Sequence, residues 1–256
     1  MKFIQDVLHL LSRQWRITMR MPIFLVVSIV QPITWMLLFS QLFGKITMLG
    51  GFGGGSYVQF LAPGIAIMSA LFGSGYAGMG LLNDIDRGVV DRFLATPVSR
   101  SALIVARVTH AFMTVSIQGG VILCVAMILG ARPRAHVLSF LAVLIAAALL
   151  GGGMAGISNA MAILTRRQET MFAVLNFTML PMIYLSSMIM AKALMPKWIQ
   201  TVSTYNPVDW AVTVARNGFE GKAFATFGWQ LLALAGFTVF FAMLATRAFR
   251  RYRATM

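Results

Sequence analysis

Six of the 28 charged residues in this chain, 21 basic and 7 acidic, fall between Asn83 and Arg100. They are Asp84, Asp86, Arg87, Asp91, Arg92 and Arg100, interleaved with Gly88, Phe93, Thr96, Pro97, Val98 and Ser99 and flanked by long neutral runs. The chemistry open to such a set is ionic and hydrogen-bonded recognition of another protein surface. A charge at the centre of a bilayer costs about 2.5 to 3.5 kcal/mol on insertion scales, so all six are expected in water or against a partner. The stretch is long for a simple connector between spans, and Pro97 favours a stiff projection over a slack one.

Other constellations are missing. His9, His110 and His136 are scattered, and Cys124 is alone within an apolar run, so one chain has neither a disulfide nor a cysteine-based metal site. No GxSxG or HExxH pattern occurs, and Gly44-Lys45-Ile46-Thr47 lacks the spacing of a phosphate-cradling loop. The chain is therefore expected to hydrolyse no ATP and to carry no metal or cofactor. All seven acidic residues (Asp6, Asp84, Asp86, Asp91, Glu169, Asp209, Glu220) map to span edges or loops, leaving no buried carboxylate for an ion-coupled cycle. His110, Gln118, Asn159 and Asn176 read first as interhelical hydrogen-bonding groups and second as cargo contacts.

The elements that must carry the charged stretch follow from composition. With 59% hydrophobic and 11% charged residues, the chain reads as an all-α polytopic membrane protein. Charge-free runs at 21–44, 46–83, 108–131, 135–165, 170–191 and 223–246 each reach the length of about 20 residues that a spanning helix needs. Six transmembrane helices follow, at 23–43, 58–82, 103–130, 137–164, 171–190 and 226–246. An even number places both termini on one side. With that side cytoplasmic, fourteen of the 21 basic residues lie inside and seven outside, as the positive-inside bias requires. Attraction of basic flanks to anionic inner-leaflet lipid then accounts for the net charge of +14 without a nucleic-acid partner. No cleavable signal segment is evident.

Residues 1–21 are expected to form an interfacial amphipathic helix. Ile4, Val7, Leu8, Leu11 and Trp15 gather on one arc, with Lys2, His9, Arg13, Arg16 and Arg20 opposite, facing lipid headgroups or a cytosolic partner. Residues 22–247 make the six-span domain, with a cytosolic loop at 83–100, and 248–256 a basic cytosolic tail. Gly50 to Ser56 forms a flexible external loop, and Pro32 and Pro181 bend the first and fifth spans. Gly73, Gly75, Gly78 and Gly80 in the second span, and Gly152 and Gly156 in the fourth, favour close helix packing within one subunit over a dimer face. Between 192 and 222, Pro196 starts one short external helix and Asn206-Pro207 caps another. Their apolar sides are Trp198, Ile199 and Val202, and Trp210, Val214 and Phe219, suited to lying at the outer leaflet.

Asp84-x-Asp86-Arg87-Gly88, Asp91-Arg92-Phe93-Leu94 and Thr96-Pro97-Val98-Ser99-Arg100 together resemble the cytosolic loop of the type-2 ABC exporter permeases. Pro196-x-Trp198 and Tyr205-Asn206-Pro207, with the segment from Arg216 to Gly221, look like that family's external helices, so the resemblance covers nearly the whole chain. Through Gln59-Phe60-Leu61-Ala62-Pro63-Gly64 and Asp91-Arg92-Phe93 it comes nearest the daunorubicin-resistance subgroup. Val89 stands where many members have Thr, and Asp91 where Glu is common; neither alters the charge pattern.

The resemblance implies half of a homodimer in the cytoplasmic (inner) membrane of a prokaryote, joined to two copies of a separate ABC ATPase subunit that holds the ATP and Mg. It also implies that the loop forms a coupling helix in the ATPase groove, through Asp84, Asp86, Arg87, Gly88, Asp91, Arg92, Phe93, Thr96, Pro97, Val98, Ser99 and Arg100. Family cargo ranges over drugs, lipids and glycans. Nineteen methionines and few intramembrane charges are compatible with an apolar or amphiphilic drug-like molecule or lipid. A glycan or glycolipid exporter, and a non-transporting membrane scaffold for a cytosolic protein, stand as alternatives. The cargo path is expected along the dimer interface past the first, second and fifth spans, with its lining residues unspecified.

Overall fold

The computed structural model describes residues 2–20, 22–44, 56–94, 99–134 and 136–252, and over these the regular structure is helical throughout. In chain order the helices are α1 (Lys2–Arg20), α2 (Pro22–Leu42), α3 (Tyr57–Gly75), α4 (Ala77–Asp86), α5 (Val89–Leu94) and α6 (Arg100–Ile128). Then come α7 (His136–Thr165), α8 (Gln168–Tyr184), α9 (Lys197–Ser203), α10 (Pro207–Phe219) and α11 (Gly228–Tyr252). Positions 50–55 of the expected external loop lie outside the described residues, as do 253–256 of the expected tail; α11 itself runs on to Tyr252.

Among the described residues four helices are long and apolar enough to cross a bilayer: α3 with α4 (Tyr57–Asp86), α6 (Ser101–Ile128), α7 (Val137–Thr165) and α11 (Gly228–Phe249). Within α2, Val26–Leu42 is a shorter apolar helix. Against the expected fifth span at 171–190, α8 has only 17 residues, about 25 Å of helix, and stops at Tyr184.

Its early end has a local cause. Asn206 donates through Nδ2 to the carbonyls of Met182 (2.6 Å) and Leu185 (3.1 Å). Arg216 donates to those of Ser187 (3.1 Å) and Met188 (3.3 Å). Carbonyls released at the helix terminus are thus taken up by α10. The same Asn206 caps α10, its side chain accepting from the Val208 amide at 2.9 Å ahead of Pro207. The α10 helix is therefore no surface helix: Val208, Ala211, Val212, Ala215 and Phe219 are buried, and it is wedged against α3, α7 and α11. Only α9 keeps the exposed placement expected for this region, with Trp198 62% exposed.

The core runs along α3, α4, α6 and α7, where Leu61, Ile65, Leu71, Leu82, Ile104, Ile122 and Leu150 are completely buried. Glycines bring these helices together. A Cβ on Gly75 would strike Met179, one on Gly78 the Ser158 carbonyl, and one on Gly152 the Phe112 ring, while at Gly156 it would lie 2.8 Å from the Phe241 backbone. Each of these approaches is made within one chain.

Candidate coupling site at the α4–α5 elbow

The membrane-length helix Tyr57–Asp86 does not end where its charges begin. Tyr76 interrupts it for one residue, and α4 then carries it on to Asp86. Asp84 accordingly sits in a helix, 9% exposed, facing inward. Arg13 of α1 grips both of its oxygens, Nη1 to Oδ2 at 3.0 Å and Nη2 to Oδ1 at 2.7 Å, and Arg107 of α6 bonds Oδ2 through Nη2.

This overturns the expectations that Asp84 lies in water or against a partner and that no carboxylate is buried. Two guanidinium groups in charge-assisted, partly bidentate contact compensate the loss of hydration. Hydrogen bonding to Asp84 holds the Arg13 pKa above its ordinary value, against the opposing pull of burial. A second buried carboxylate, Asp209 of α10 (3% exposed), accepts from the Ser187 amide at 2.8 Å and pairs with Lys192 at 3.3 Å.

Beyond α4 the chain reverses at Arg87 and Gly88. Gly88 has φ +65°, a left-handed conformation that glycine takes without steric cost. In α5, Val90 is buried and Phe93 half-buried, with the Arg13 guanidinium 5.4 Å from the Phe93 ring centre. Asp86, Arg87 and Arg92 are exposed. Asp91 lies on α5 and Arg100 opens α6, while Thr96, Pro97 and Val98 lie outside the described residues. Ser99 caps α6, its hydroxyl accepting from the Ala102 amide at 3.2 Å, and its own amide donates to Asp6 of α1 at 3.3 Å.

The elbow is thus held by parts the sequence did not single out. α1 braces it through Asp6 and Arg13, and is itself fixed to α6, with Trp15 packed edge-on against His110 and Thr18 bonded to that imidazole at 3.0 Å. Gln168, at the start of α8, donates to Asn83 at 2.8 Å. Between α1 and the elbow lies an open cleft of about 870 Å³ bordered by Arg13, Arg16, Asn83, Arg87 and Phe93. Arg13, assigned by periodicity to a face for lipid or a partner, points inward instead; Arg16 and Arg20 remain exposed. The elbow presents three outward charges, Asp86 at the end of α4, Arg87 in the turn and Arg92 on α5, and is tied to α1, α6 and α8.

A family model described as ABC-2 type transporter matches residues 5–219, a stretch that contains most of α1, the elbow and α10. The daunorubicin resistance ABC transporter permease protein DrrB1 of Streptomyces coeruleorubidus is 25% identical over 250 residues, covering 95% of this chain and 87% of that relative. The putative transport permease ycf38 of Cyanophora paradoxa is 28% identical over 218 residues (84% and 74%). The inner membrane transport permease YadH of Escherichia coli K12 is 27% identical over 207 residues (76% of each). A helical membrane chain that matches this model over most of its length, and transport permeases over 76 to 95% of it, belongs to the ABC-2 type transporter family.

Proposed function

We propose that this chain is the membrane permease subunit of an ATP-driven exporter, worked by a separate ABC ATPase through the α4–α5 elbow. The observation that carries the reading is the outward set Asp86, Arg87 and Arg92 on the α4–α5 turn, braced by α1, continuous with α3–α4 and tied to α6 through Asp84 and Arg107. An ATPase pressing on that turn displaces two membrane-length helices together. Two copies of this chain and two of the ATPase make the working assembly, the ATPase binding ATP and Mg.

In this reading α2, α3–α4, α6, α7, α8 and α11 all cross the membrane, and the elbow end is cytoplasmic in a prokaryotic inner membrane. Support comes from the side chains gathered there: Arg13, Arg16, Arg87, Arg92, Arg166 and Arg167 lie on α1, the elbow and the α7–α8 turn. The cargo is an apolar or amphiphilic molecule, drug-like or lipid, in keeping with the drug named for DrrB1.

Co-reconstitution with the ABC ATPase that co-purifies with this chain tests the reading. The permease is expected to stimulate ATP hydrolysis, and Asp86→Arg with Arg92→Glu to abolish the stimulation while the thermal midpoint holds, because both side chains are exposed. Stimulation that survives the double reversal would remove the elbow from the mechanism.

A further inference from the structure

The open cleft of about 870 Å³ between α1 and the elbow is walled by charge and by apolar surface together. Arg13, Arg16, Arg20 and Arg87 line it against two carboxylates, Asp6 and Asp84. Asp84 is taken up by Arg13 and Arg107, and Asp6 accepts from the Ser99 amide at 3.3 Å. Among the described residues no carboxylate is ion-paired with Arg16, Arg20 or Arg87. All three are exposed, so their guanidinium groups are open to a ligand. Arg16 and Arg20 share one face of α1 at helical spacing, and Arg87 reaches the cleft from the opposite wall. Leu10, Ile17, Val89 and Phe93 supply the apolar part of the lining.

Depth selects among anions. Arg107 is the last charge of α6 before the neutral stretch 108–131, and so stands at the edge of the hydrocarbon. Arg13 and Asp84 share its ion cluster and lie at its level. Trp15 and Thr18 meet His110, further into α6. Beyond Arg20 the chain enters α2, whose stretch Val26–Leu42 is apolar. The face of α1 that borders the cleft therefore runs at headgroup level, where basic pockets between helices meet lipid phosphates. A soluble phosphate would engage the arginines and leave the apolar wall bare. A glycerophospholipid covers both, and the cleft has room for a headgroup with its glycerol.

We propose that the cleft between α1 and the elbow holds one anionic phospholipid, its phosphate shared by Arg16 and Arg20 of α1 and Arg87 of the elbow. Its glycerol and upper acyl chain lie on Ile17, Val89 and Phe93. A zwitterionic lipid brings its own ammonium among the arginines, which weakens it there. The bound lipid ties α1 to the elbow a second time, beside the Arg13–Asp84 pair. Only the choice of the cytoplasmic leaflet rests on the permease reading; the site itself does not.

The test is native mass spectrometry of the full chain in neutral detergent, without ATPase, counting adducts as one of three probes is titrated in. The probes are dioleoylphosphatidylglycerol, dioleoylphosphatidylcholine and glycerol 3-phosphate. Saturable binding of one phosphatidylglycerol per chain is expected, with phosphatidylcholine weaker by about tenfold or more. Glycerol 3-phosphate should give no adduct at concentrations that saturate with phosphatidylglycerol. Arg16→Gln and Arg20→Gln should each weaken phosphatidylglycerol by about fivefold. Both side chains are exposed, so the variants keep the fold; Arg132→Gln, exposed at the opposite end of α6, should change nothing. Equal affinity for phosphatidylcholine overturns the proposal, as does unchanged affinity in the two α1 variants or an equal loss in Arg132→Gln. Binding of glycerol 3-phosphate as tight as that of the lipid assigns the cleft to a soluble phosphate and overturns it too. So does an absence of saturable lipid binding while Arg16→Gln lowers co-purification of the ATPase, which assigns the cleft to an acidic protein surface. With no ATPase in the titrations, failure here and failure of the coupling test are distinguishable.

Discussion

At the scale of single residues, Asp84 shows how a charge enters the interior of a membrane chain. Its partners Arg13 and Arg107 stand 71 and 23 positions away, and no local pattern announces either. Asp84→Ala leaves Arg107 buried without its counter-ion, and is expected to cost about 3 to 5 kcal/mol, read as a fall in the thermal midpoint of purified protein. Arg13 is partly exposed, and Arg13→Ala should cost about 1 kcal/mol or less. Adding Arg107→Met to Asp84→Ala should recover most of the loss by removing the stranded cation. A single Asp84→Ala variant that melts with the wild type would show that the triad does not hold the elbow. The charge of Asp84 was legible in the sequence; its burial was not, because insertion costs describe an isolated charge and this one is doubly paired.

At the scale of elements, spans bounded by charge or polar caps were readable, and those bounded by tertiary contacts were not. The expected 137–164 span is α7, His136–Thr165, set off by arginines at both ends. Periodicity gave α1 its helix, although not the inward direction of Arg13. The second span was expected to stop at 82 and continues as helix to Asp86, since pairing of Asp84 removes the reason to stop. For α8 the end at Tyr184 is imposed by Asn206 and Arg216, and the burial of α10 follows from neighbours that its own short, mixed sequence does not reveal. Glycines offer a direct check on the packing. Gly78→Ala forces a methyl into the Ser158 carbonyl and should destabilise by about 1 to 3 kcal/mol. Gly120→Ala, with nothing within 4 Å, should not lower the thermal midpoint. Equal midpoints for the two would contradict the α4–α7 contact.

At the scale of the whole molecule, one end of the bundle is tied together by α1, the elbow and the start of α8, and the other by α10 seated among α3, α7 and α11. On the proposed reading the first end is a place for the ATPase partner that the family implies. Packing explains why a push there reaches both α3–α4 and α6. The most direct measurement is photo-cross-linking in the assembled complex, with benzoylphenylalanine placed at Asp86, at Arg92 and, at the opposite end, at the exposed Trp198. The account predicts adducts with the ATPase from positions 86 and 92 and none from 198; an adduct from 198, or none from either elbow position while the ATPase co-purifies, would contradict it.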